Sequence, residues 1–543
     1  MTRAILIVWV AASCACAAAP DTVLLNGKIF TSDAAQPWAQ ALAIRGDRVI
    51  AVGDTATIGA QAGTATRRID LGGRTVVPGF NDAHLHVGPH FPLVRLKSGD
   101  DPTTAELDAA LAAVRAVAAP GQFIQGSFGE QVWLDAAVTR AWLDARLPDH
   151  PVRLSAWTGH GVVLNSAALT LAGIDESIGD PEGGRFLRDA AGRLNGRAEE
   201  YGVYLIDRRL AMHVNPAEAT DAYRVFANQA TALGITSVQL MGDALPEAAI
   251  MSHLVEARTP LRWHVYRFPM REAAGGPTTD SRPHLPPQPA PTLDARGMKF
   301  ILDGTPIERL AFLRAPYANA PQERGRLNFT AARLKEFVGW AYGSEDPILM
   351  HAVGDGAIDA YLTALEQTGL PEVWRDKRPR LEHGDLLFPD LLARAKKLGV
   401  VVVQNPAHLT LGPALEAAFG VERARQIEPL KTLLTEGIPL ALGSDGPLSP
   451  FLNIMFATTH PSRPSEALSR EEAVVAYTRG SAFAEHAEKD KGHLSPGALA
   501  DLAVLSADVF TVPTDALPAI TSVMTMIGGR AVHDAGVLGR VTP

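Results

Sequence analysis

Two histidines separated by one residue follow an early apolar run of the chain. Thr75, Val76 and Val77 are residue types typical of a buried strand, and His84 and His86 come shortly after them. Residues i and i+2 of a strand project from the same face, so the two imidazoles would lie side by side. That geometry suits two ligands of one metal ion, although a single histidine in such a place is more often a hydrogen-bonded core residue.

Four further residues that could bind a metal or transfer a proton stand at or just after apolar, strand-like segments. They are Lys299 in "GMKFILDG", His351 in "LMHAVGDG", His383 in "RLEHGD" and Asp445 in "LALGSDG". Neighbouring members of this set are separated by at least the roughly 30 residues that one βα unit occupies. Counting the histidine pair, six side chains could therefore converge on one end of a barrel.

Lys299 has two interpretations, because an unpaired ammonium among apolar neighbours is energetically costly. The first is an ordinary salt bridge, with Asp303 as the partner. The second is carbamylation by carbon dioxide, which turns the lysine into a carboxylate able to bridge two metal ions. Burial lowers the pKa of a lysine and favours the neutral amine that this reaction needs.

The other three residues also have structural alternatives. His351 could cap the helix that begins near Asp355, and His383 could pair with its neighbour Glu382. Asp445 could be an N-cap or turn aspartate, which is the usual role of a Ser-Asp-Gly sequence. Each alternative is reasonable alone, but the occurrence of all these residues at successive strand ends favours a common site.

The middle of the chain alternates short apolar strands with helical stretches, the pattern of parallel βα units. Eight segments read as strands with a polar residue at or just past the end: VVPGFNDAHLH, ITSVQLMGD, LRWHVYRF, MKFILDG, PILMHAVGD, PRLEHGD, VVVVQNPAH and PLALGSDG. Eight such units predict an α/β fold of the (β/α)₈ TIM-barrel type, whose chemistry lies at the carboxyl ends of the strands. The long gap after the first strand predicts an insertion, within which FIQGSFGE and VRLSAWTGHG read as strands.

Both ends of the chain have a different pattern. Short β-branched runs broken by Asn-Gly, Gly-Asp and Gly-Gly pairs indicate strands and turns in both places, which predicts one small β-sandwich built from both termini. We therefore expect a signal peptide at 1–19, sandwich strands at 20–77 and 486–543, and a barrel at 78–485 with an insertion at about 90–230. The Pro-rich run 275–292 is predicted to be a loop, either a linker or an active-site lid.

Composition restricts the classes of partner. The net charge is −9, with 20% charged and 47% hydrophobic residues, which is typical of a soluble globular protein without a basic surface for nucleic acid. A small molecule is the expected ligand. An oligomer remains open.

The first nineteen residues have the features of a secretory signal peptide. Arg3 precedes an apolar stretch, and an A-x-A pattern ends at Ala19, so we expect an exported, periplasmic or extracellular protein. Both cysteines, Cys14 and Cys16, lie inside this leader, so cleavage at Ala19 would leave no thiol ligand. The residues before Cys14 loosely resemble a lipoprotein processing box, which leaves a lipid anchor open. No later segment is apolar for long enough to cross a membrane.

The residue set resembles the amidohydrolase superfamily, and in particular the family 3 branch that includes N-substituted formamide deformylases. The resemblance covers nearly the whole mature chain and includes "HLSPGALADLAVL" near the end. The segments "GHGVVLNSAALTLAGI" and "GGRFLRDAAGRLNGRAEE" look like the insertion of that branch. The sequence departs from the branch in "DGTPIERLAFL", which lacks its run of small residues, and this weakens inference about the substrate.

The resemblance implies a site for two divalent ions, with zinc as the expected metal. His84, His86 and Asp445 would hold one ion, His351 and His383 the other, and Lys299 would bridge them as a carbamate. The two ions would lower the pKa of a bridging water and polarise a carbonyl. Asp445 would accept the proton of this hydroxide-forming water and deliver it to the leaving nitrogen.

The expected function is therefore metal-dependent hydrolysis of a non-peptide C–N bond in an amide, N-formyl, N-acyl or cyclic amide compound. His160, in the insertion, is a candidate for a hydrogen bond to the substrate; the alternative is a structural histidine near Asn165. A metal-poor binding protein on the same scaffold, and a hydrolase of an ester or lactone or a deaminase, are the other hypotheses. The sequence has no G-x-S-x-G, P-loop or H-E-x-x-H motif.

Overall fold

Eight parallel strands form a nearly closed barrel in the computed structural model, which describes residues 18–89, 93–99, 101–271 and 292–540. In chain order they are Phe80–Leu85, Ile235–Gly242, Arg262–Arg267, Met298–Ile301, Ile348–Ala352, Arg380–His383, Val401–Gln404 and Leu440–Leu442. Each strand pairs with the next, and a parallel bridge between Leu85 and Asp445 joins the first strand to the segment after the eighth. All eight strands lie within the segments predicted from sequence, so the predicted fold class is confirmed.

Helices follow or precede the barrel strands, as the helical pattern predicts. Those after the insertion are Pro216–Ala232, Glu247–Ala257, Ala331–Gly343, Asp355–Thr368, Pro371–Lys377, Pro389–Leu398, Gly412–Phe419, Val421–Ala424, Leu430–Glu436, Pro450–Thr459, Arg470–Val475 and Ser481–Ala484. Shorter 3₁₀ segments are Pro406–Leu411, Pro464–Glu466 and Thr514–Ala519, and Ala476–Gly480 is a π segment. The helix Pro389–Leu398 has typical start and stop residues, with proline at its start and Gly399 in the left-handed conformation at its end.

The insertion after the first barrel strand has its own mixed sheet. Its strands, in spatial order, are Gly184–Arg188, Leu194–Glu200, Gly161–Leu164, Val152–Ala156, Phe123–Phe128 and Leu93–Arg95. Its helices are Thr104–Arg115, Glu130–Leu134, Arg140–Asp144, Ser166–Leu171 and Tyr201–Ala211. The turn between Val152–Ala156 and Gly161–Leu164 carries His160 toward the carboxyl end of the barrel, where it meets His351.

Strands from both ends of the chain form two further sheets. One sheet has the order Gly539–Arg540, Arg67–Asp70, Thr22–Leu25, Ala41–Arg45 and Arg48–Gly53. The other has the order Arg530–Asp534, Ser522–Ile527, Leu502–Leu505, Thr75–Pro78, Lys28–Phe30 and Trp38–Ala39. One apolar core, which includes Leu24 and Leu42 of the first sheet and Leu502 and Met524 of the second, lies between them. The short helix Thr55–Gly59 follows the last strand of the first sheet.

Two sequence predictions concern residues outside the described ranges. Most of the predicted signal peptide, with Cys14 and Cys16, and nearly all of the Pro-rich run fall in residues 1–17 and 272–291. Export and lipid attachment therefore stay predictions. Within the described ranges, no helix combines the length and apolar character needed to cross a membrane.

Candidate metal centre

The carboxyl ends of the barrel strands bring the predicted histidines into one cluster. The ring centroids of His84 and His86 are 5.4 Å apart, those of His84 and His383 are 4.9 Å apart, and those of His351 and His383 are 4.5 Å apart. The backbone N–H of Asp445 donates to the carbonyl of His84 at 2.8 Å, which places the aspartate beside the pair. Residues far apart in the chain therefore meet at one end of the barrel.

Three of these histidines are held in the same tautomer by an oxygen acceptor. Nδ1 of His84 donates to Glu382 Oε2 at 2.6 Å, and Nδ1 of His86 lies 3.0 Å from Asp243 Oδ2. Nδ1 of His383 donates to the amide oxygen of Asn405 at 3.0 Å. A carboxylate or amide oxygen can only accept, so each ring carries its proton on Nδ1 and has a free lone pair on Nε2. This is the usual outer arrangement of a metal-binding histidine.

Two buried imidazole nitrogens without hydrogen-bond partners also indicate a metal site. Among the described residues, Nε2 of His84 and Nε2 of His351 are buried and have no hydrogen-bond partner. A buried polar atom left unpaired is costly unless a bound group satisfies it. One ligand atom from each of His84, His383 and Asp445 lies within 4.8 Å of the other two. Imidazole nitrogens and a carboxylate are ligands that divalent zinc prefers, so the donor set fits such an ion.

Four imidazoles lie around the Asp445 carboxylate, and they belong to His84, His86, His408 and His383. Its Oδ1 lies 3.9 Å from Nε2 of His84 and 3.4 Å from Nε2 of His86, and its Oδ2 lies 3.5 Å from Nε2 of His408. Burial would raise the pKa of Asp445, but the neighbouring histidines outweigh burial and lower it below its usual range. Asp445 is therefore an ionised carboxylate at neutral pH.

His408 is a residue that sequence reasoning missed. It lies in the 3₁₀ segment Pro406–Leu411 after the seventh barrel strand, and its ring stacks at 5.8 Å on His383. The only signal for it in the sequence is its position at the end of the predicted strand segment "VVVVQNPAH". Its side chain is 26% exposed, so it faces the solvent side of the cluster.

Lys299 lies in the fourth barrel strand and is 1% exposed. Burial lowers its pKa to about 8, because the carboxylates of Glu382 and Asp445 offset only part of the desolvation cost. Burial and then the charge of Lys299 lower the pKa of His84, and burial, His84 and Lys299 lower the pKa of His383. A fraction of this amine is therefore neutral near neutral pH.

The backbone at two cluster residues is in the left-handed region. The φ angles are 67° at His383 and 53° at Asp445, which is uncommon for residues other than glycine. Such strain persists where surrounding contacts hold it. Asp82 supplies some of these contacts, since it accepts from the backbone N–H of Ser444 at 2.8 Å and from the hydroxyl of Tyr477 at 2.7 Å.

The structure excludes the side-chain pairs suggested from sequence for Lys299 and His383. Asp303 does not pair with Lys299; it accepts the backbone N–H groups of Phe312, Val353 and Gly354. Glu382 pairs with His84 rather than with its neighbour His383.

The helix Asp355–Thr368 follows the His351 strand and begins without a side-chain cap, so His351 is not its capping residue. His351 instead packs against His160 at 4.9 Å.

His160 belongs to the same cluster, on the side that the insertion covers. Nδ1 of His160 lies 3.0 and 3.1 Å from the two carboxylate oxygens of Glu200. Burial opposes its charging, but Glu200 and Glu308 together raise the pKa of His160 to about 9. Asn165 bonds to the backbone around residues 147–152 and is not the partner of His160.

An open cleft of about 740 Å³ leads from solvent to this cluster. His160, His351, His383, His408 and Asp445 all line it. Thr305, Pro306 and Ile307, from the segment in which the sequence departs from its branch, form part of one wall. A small molecule can therefore reach the donor atoms directly.

The Asp243 carboxylate gives a testable prediction about the ligand shell. Asp243→Asn keeps an acceptor for His86 but removes the charge that, against the effect of burial, raises the pKa of His86. We expect metal affinity to fall by about 10-fold, the lower end of the range for outer partners of metal ligands. Competition with a chromogenic chelator measures this.

Asp207→Asn is the matched control. Asp207 lines the same small cavity behind His86, but it pairs with Arg153 at 2.7 Å and not with a cluster histidine. Equal metal affinity in the wild type and Asp243→Asn would show that the charge of Asp243 does not strengthen metal binding by His86.

A (β/α)₈ barrel with nitrogen and oxygen donors gathered at its carboxyl end defines a class, the metal-dependent barrel hydrolases. The chain belongs to the amidohydrolase family, whose model matches residues 67–533. The family resemblance seen in the sequence is thereby confirmed, and the chain is an enzyme of the metal-dependent amidohydrolase class.

Relatives match over nearly the whole chain. The chain is 28% identical to the protein LONG AFTER FAR-RED 3 of Arabidopsis thaliana, over 94% of this chain and 91% of that one. It is 25% identical to an N-substituted formamide deformylase of Arthrobacter pascens, over 94% of this chain and 97% of that one. Its fold is similar to that of an uncharacterized metal-dependent hydrolase from Pyrococcus furiosus, with a TM-score of 0.68, 26% identity, and coverage of 90% and 100% of the two chains.

Proposed function

We propose that the protein hydrolyses a non-peptide C–N bond in a small amide, as an N-formyl, N-acyl or cyclic amide hydrolase. The observation that carries the proposal is the set of three histidines, each fixed as the Nδ1–H tautomer by an acceptor and grouped around the ionised Asp445. The similarity to a relative described as an N-substituted formamide deformylase supports amide bonds over esters.

We assign two divalent ions, with zinc as the expected metal, to this cluster. His84, His86 and Asp445 would hold one ion, and His351 and His383 the other, with Lys299 between them as a carbamate. The partly neutral amine of buried Lys299 supports this assignment, since carbamylation needs a free lone pair. Bound metal would polarise the substrate carbonyl and lower the pKa of the attacking water.

Asp445 and His160 have separate roles in the proposed reaction. Water attacks the acyl carbon, and its proton passes to the Asp445 carboxylate. Asp445 delivers that proton to the amide nitrogen as the C–N bond breaks, so that the products are a carboxylic acid and an amine. His160, charged at neutral pH because of Glu200, would donate from Nε2 toward the carbonyl oxygen as negative charge develops there.

A panel of compounds tests the proposed reaction. The purified enzyme, supplied with zinc, is assayed against N-formyl- and N-acetylbenzylamine, a cyclic imide, benzyl acetate and adenosine. We expect release of benzylamine from at least one of the two acyclic amides, or opening of the imide. Cleavage of only the ester, or only deamination of adenosine, would contradict the assignment.

His160→Gln tests the substrate-side role of that histidine. Glutamine keeps a neutral donor but not the charge, so we expect kcat/KM to fall by about tenfold while metal content stays the same. His150→Gln is the matched control, because His150 is a buried histidine of the insertion that does not line the cleft. If both variants lose activity equally, or if His160→Gln loses metal, the proposed role is wrong.

A further inference from the structure

An arginine is buried inside the barrel beneath the histidine cluster. Arg380 is the first residue of the sixth barrel strand, and its side chain is 0% exposed. Arg380 and Glu382 are two residues apart on this strand, so their side chains project from the same face. Barrel interiors are usually filled by branched apolar side chains, and arginine is almost never fully buried unless it is paired. An arginine at this position therefore indicates a specific role.

Each of the five N–H groups of the Arg380 guanidinium has an acceptor. Nε donates to Glu382 Oε1 at 2.8 Å, and Nη2 donates to Glu382 Oε2 at 3.0 Å. Nη2 also donates to the backbone carbonyl of Ala83 at 2.8 Å. Nη1 donates to the hydroxyl of Tyr266 at 2.9 Å and to Oε1 of Gln239. The guanidinium thus links the sixth barrel strand to the first, second and third strands across the interior.

Glu382 connects Arg380 to a histidine of the cluster. The oxygen Oε2 of Glu382 accepts from Nη2 of Arg380 and also from Nδ1 of His84, the latter at 2.6 Å. Two parallel bonds from one guanidinium fix the orientation of a carboxylate. The fixed carboxylate in turn fixes the ring of His84, whose Nε2 faces Asp445 Oδ1 at 3.9 Å.

The same arginine also restrains the backbone next to His84. Ala83, whose carbonyl accepts from Nη2 of Arg380, directly precedes His84 in the first barrel strand. Arg380 therefore restrains His84 in two ways, through the backbone before it and, by way of Glu382, through its ring.

Stability alone does not explain this buried ion pair. Taking a guanidinium and a carboxylate out of water costs free energy that their attraction often fails to return, and apolar side chains of similar volume are often at least as stabilising. Branched apolar residues would fill this part of the interior without that cost. The pair is better explained by the histidine that it holds.

We infer that Arg380 is a positioning residue of the metal centre, and this inference rests on the proposed function. Arg380 does not line the cleft and does not contact a side chain proposed as a metal ligand. It acts through Glu382, because it holds the carboxylate in the orientation that directs Nε2 of His84 toward the metal. Loss of Arg380 should therefore weaken metal binding although every ligand is still present.

The zinc affinity of Arg380→Met tests the inference. Methionine is flexible and apolar, so it can fill part of the vacated volume, but it leaves Glu382 without the two bonds that orient it. We expect zinc affinity to fall by about 10-fold, the lower end of the range for outer partners of metal ligands. Competition with a chromogenic chelator measures this. Unchanged zinc affinity would overturn the inference.

Arg262→Met is the matched control. Arg262 also makes two bonds to one carboxylate, with Nε 2.6 Å from Asp501 Oδ2 and Nη2 3.0 Å from Asp501 Oδ1. This pair lies between the third barrel strand and the terminal sheet, away from the cluster. Arg262→Met should lose thermal stability and keep its zinc affinity. An equal loss of zinc affinity in both variants would show a general effect of instability and overturn the role of Arg380.

Arg380→Lys separates orientation from charge and keeps the inference testable if the methionine variant does not fold. Lysine retains the positive charge, but its ammonium cannot form two parallel bonds to a carboxylate. We expect Arg380→Lys to lose nearly as much zinc affinity as Arg380→Met. Wild-type affinity in Arg380→Lys would show that only the charge is needed, which contradicts a positioning role.

A double-mutant cycle tests the route through Glu382. Because Arg380 acts through this carboxylate, Arg380→Met should lower zinc affinity much less in a Glu382→Gln background than in the wild type. An equal fall in both backgrounds would mean that Arg380 affects the metal independently of Glu382, and the inference would be wrong.

Nuclear magnetic resonance of the protein as purified separates this inference from the proposed function. With ¹⁵N-labelled histidine, the short bond from Nδ1 of His84 to Glu382 should give a downfield N–H signal that is missing in His84→Gln. The signal should shift or disappear in Arg380→Met and remain in Arg262→Met. If this result is obtained and the wild type binds no zinc, the metal assignment is wrong and the positioning of His84 by Arg380 stands. An unchanged signal in Arg380→Met contradicts the inference whatever the zinc affinity.

Discussion

Asp445→Asn is expected to lower kcat by at least about 10²-fold while the protein remains folded, the usual scale for loss of a general acid and base. The asparagine keeps the size of the side chain and can still lie among the imidazoles that contact Asp445. It cannot accept the proton of the attacking water or return it to the leaving nitrogen. Steady-state kinetics at saturating zinc, with circular dichroism as a check on folding, measures the effect.

Asp243→Asn is the matched control for this variant. Both substitutions remove one carboxylate beside His86, but Asp243 faces Nδ1 of the ring and Asp445 faces Nε2. Excess zinc should restore Asp243→Asn to near-normal turnover and should not restore Asp445→Asn. Near-normal turnover of Asp445→Asn would show that Asp445 does not take part in the proton transfers.

Lys299→Ala is expected to lose metal as well as activity. A residue proposed to bridge two ions should matter more than an outer partner, so we expect kcat/KM to fall by at least about 100-fold, the upper end for outer partners. The cavity left by the missing side chain can admit a small carboxylate in place of the carbamate. Acetate or propionate should therefore restore part of both metal content and turnover.

The control is Lys431→Ala, which removes a partly exposed lysine that pairs with Glu472 at 2.6 Å on the outside of the barrel. That variant should keep its metal and show no response to short carboxylic acids. If Lys299→Ala keeps its metal and is not rescued, Lys299 is an ordinary buried lysine whose amine stays uncarbamylated.

The barrel could be predicted from sequence because most of its strands are short, largely apolar runs with a polar residue at or just past the end. Val401–Gln404 shows this pattern, with three valines followed by a glutamine. The alternation of a regular strand also places His84 and His86 on one face, and their rings do lie side by side. These features depend only on residues close together in the chain, so they can be predicted without knowing which distant residues are in contact.

The partners of the histidines could not be predicted in the same way. Neighbours on a strand normally point to opposite faces, yet both Glu382 and His383 reach His84. The left-handed backbone at His383 turns that residue out of the strand pattern. Asp243, Asn405 and His408 reach the cluster through strand ends and a 3₁₀ segment, whose positions depend on the closed barrel and not on spacing.

The central claim is that the clustered donors hold metal, and the direct test is the metal content of the purified protein. Wild type prepared without chelators is analysed by inductively coupled plasma mass spectrometry, beside a His84→Ala, His351→Ala double variant in which the two unpaired Nε2 atoms are gone. We predict about two ions per wild-type chain and less than one in the double variant. Fewer than about half an ion per wild-type chain, also after incubation with zinc and removal of the excess, would contradict the account.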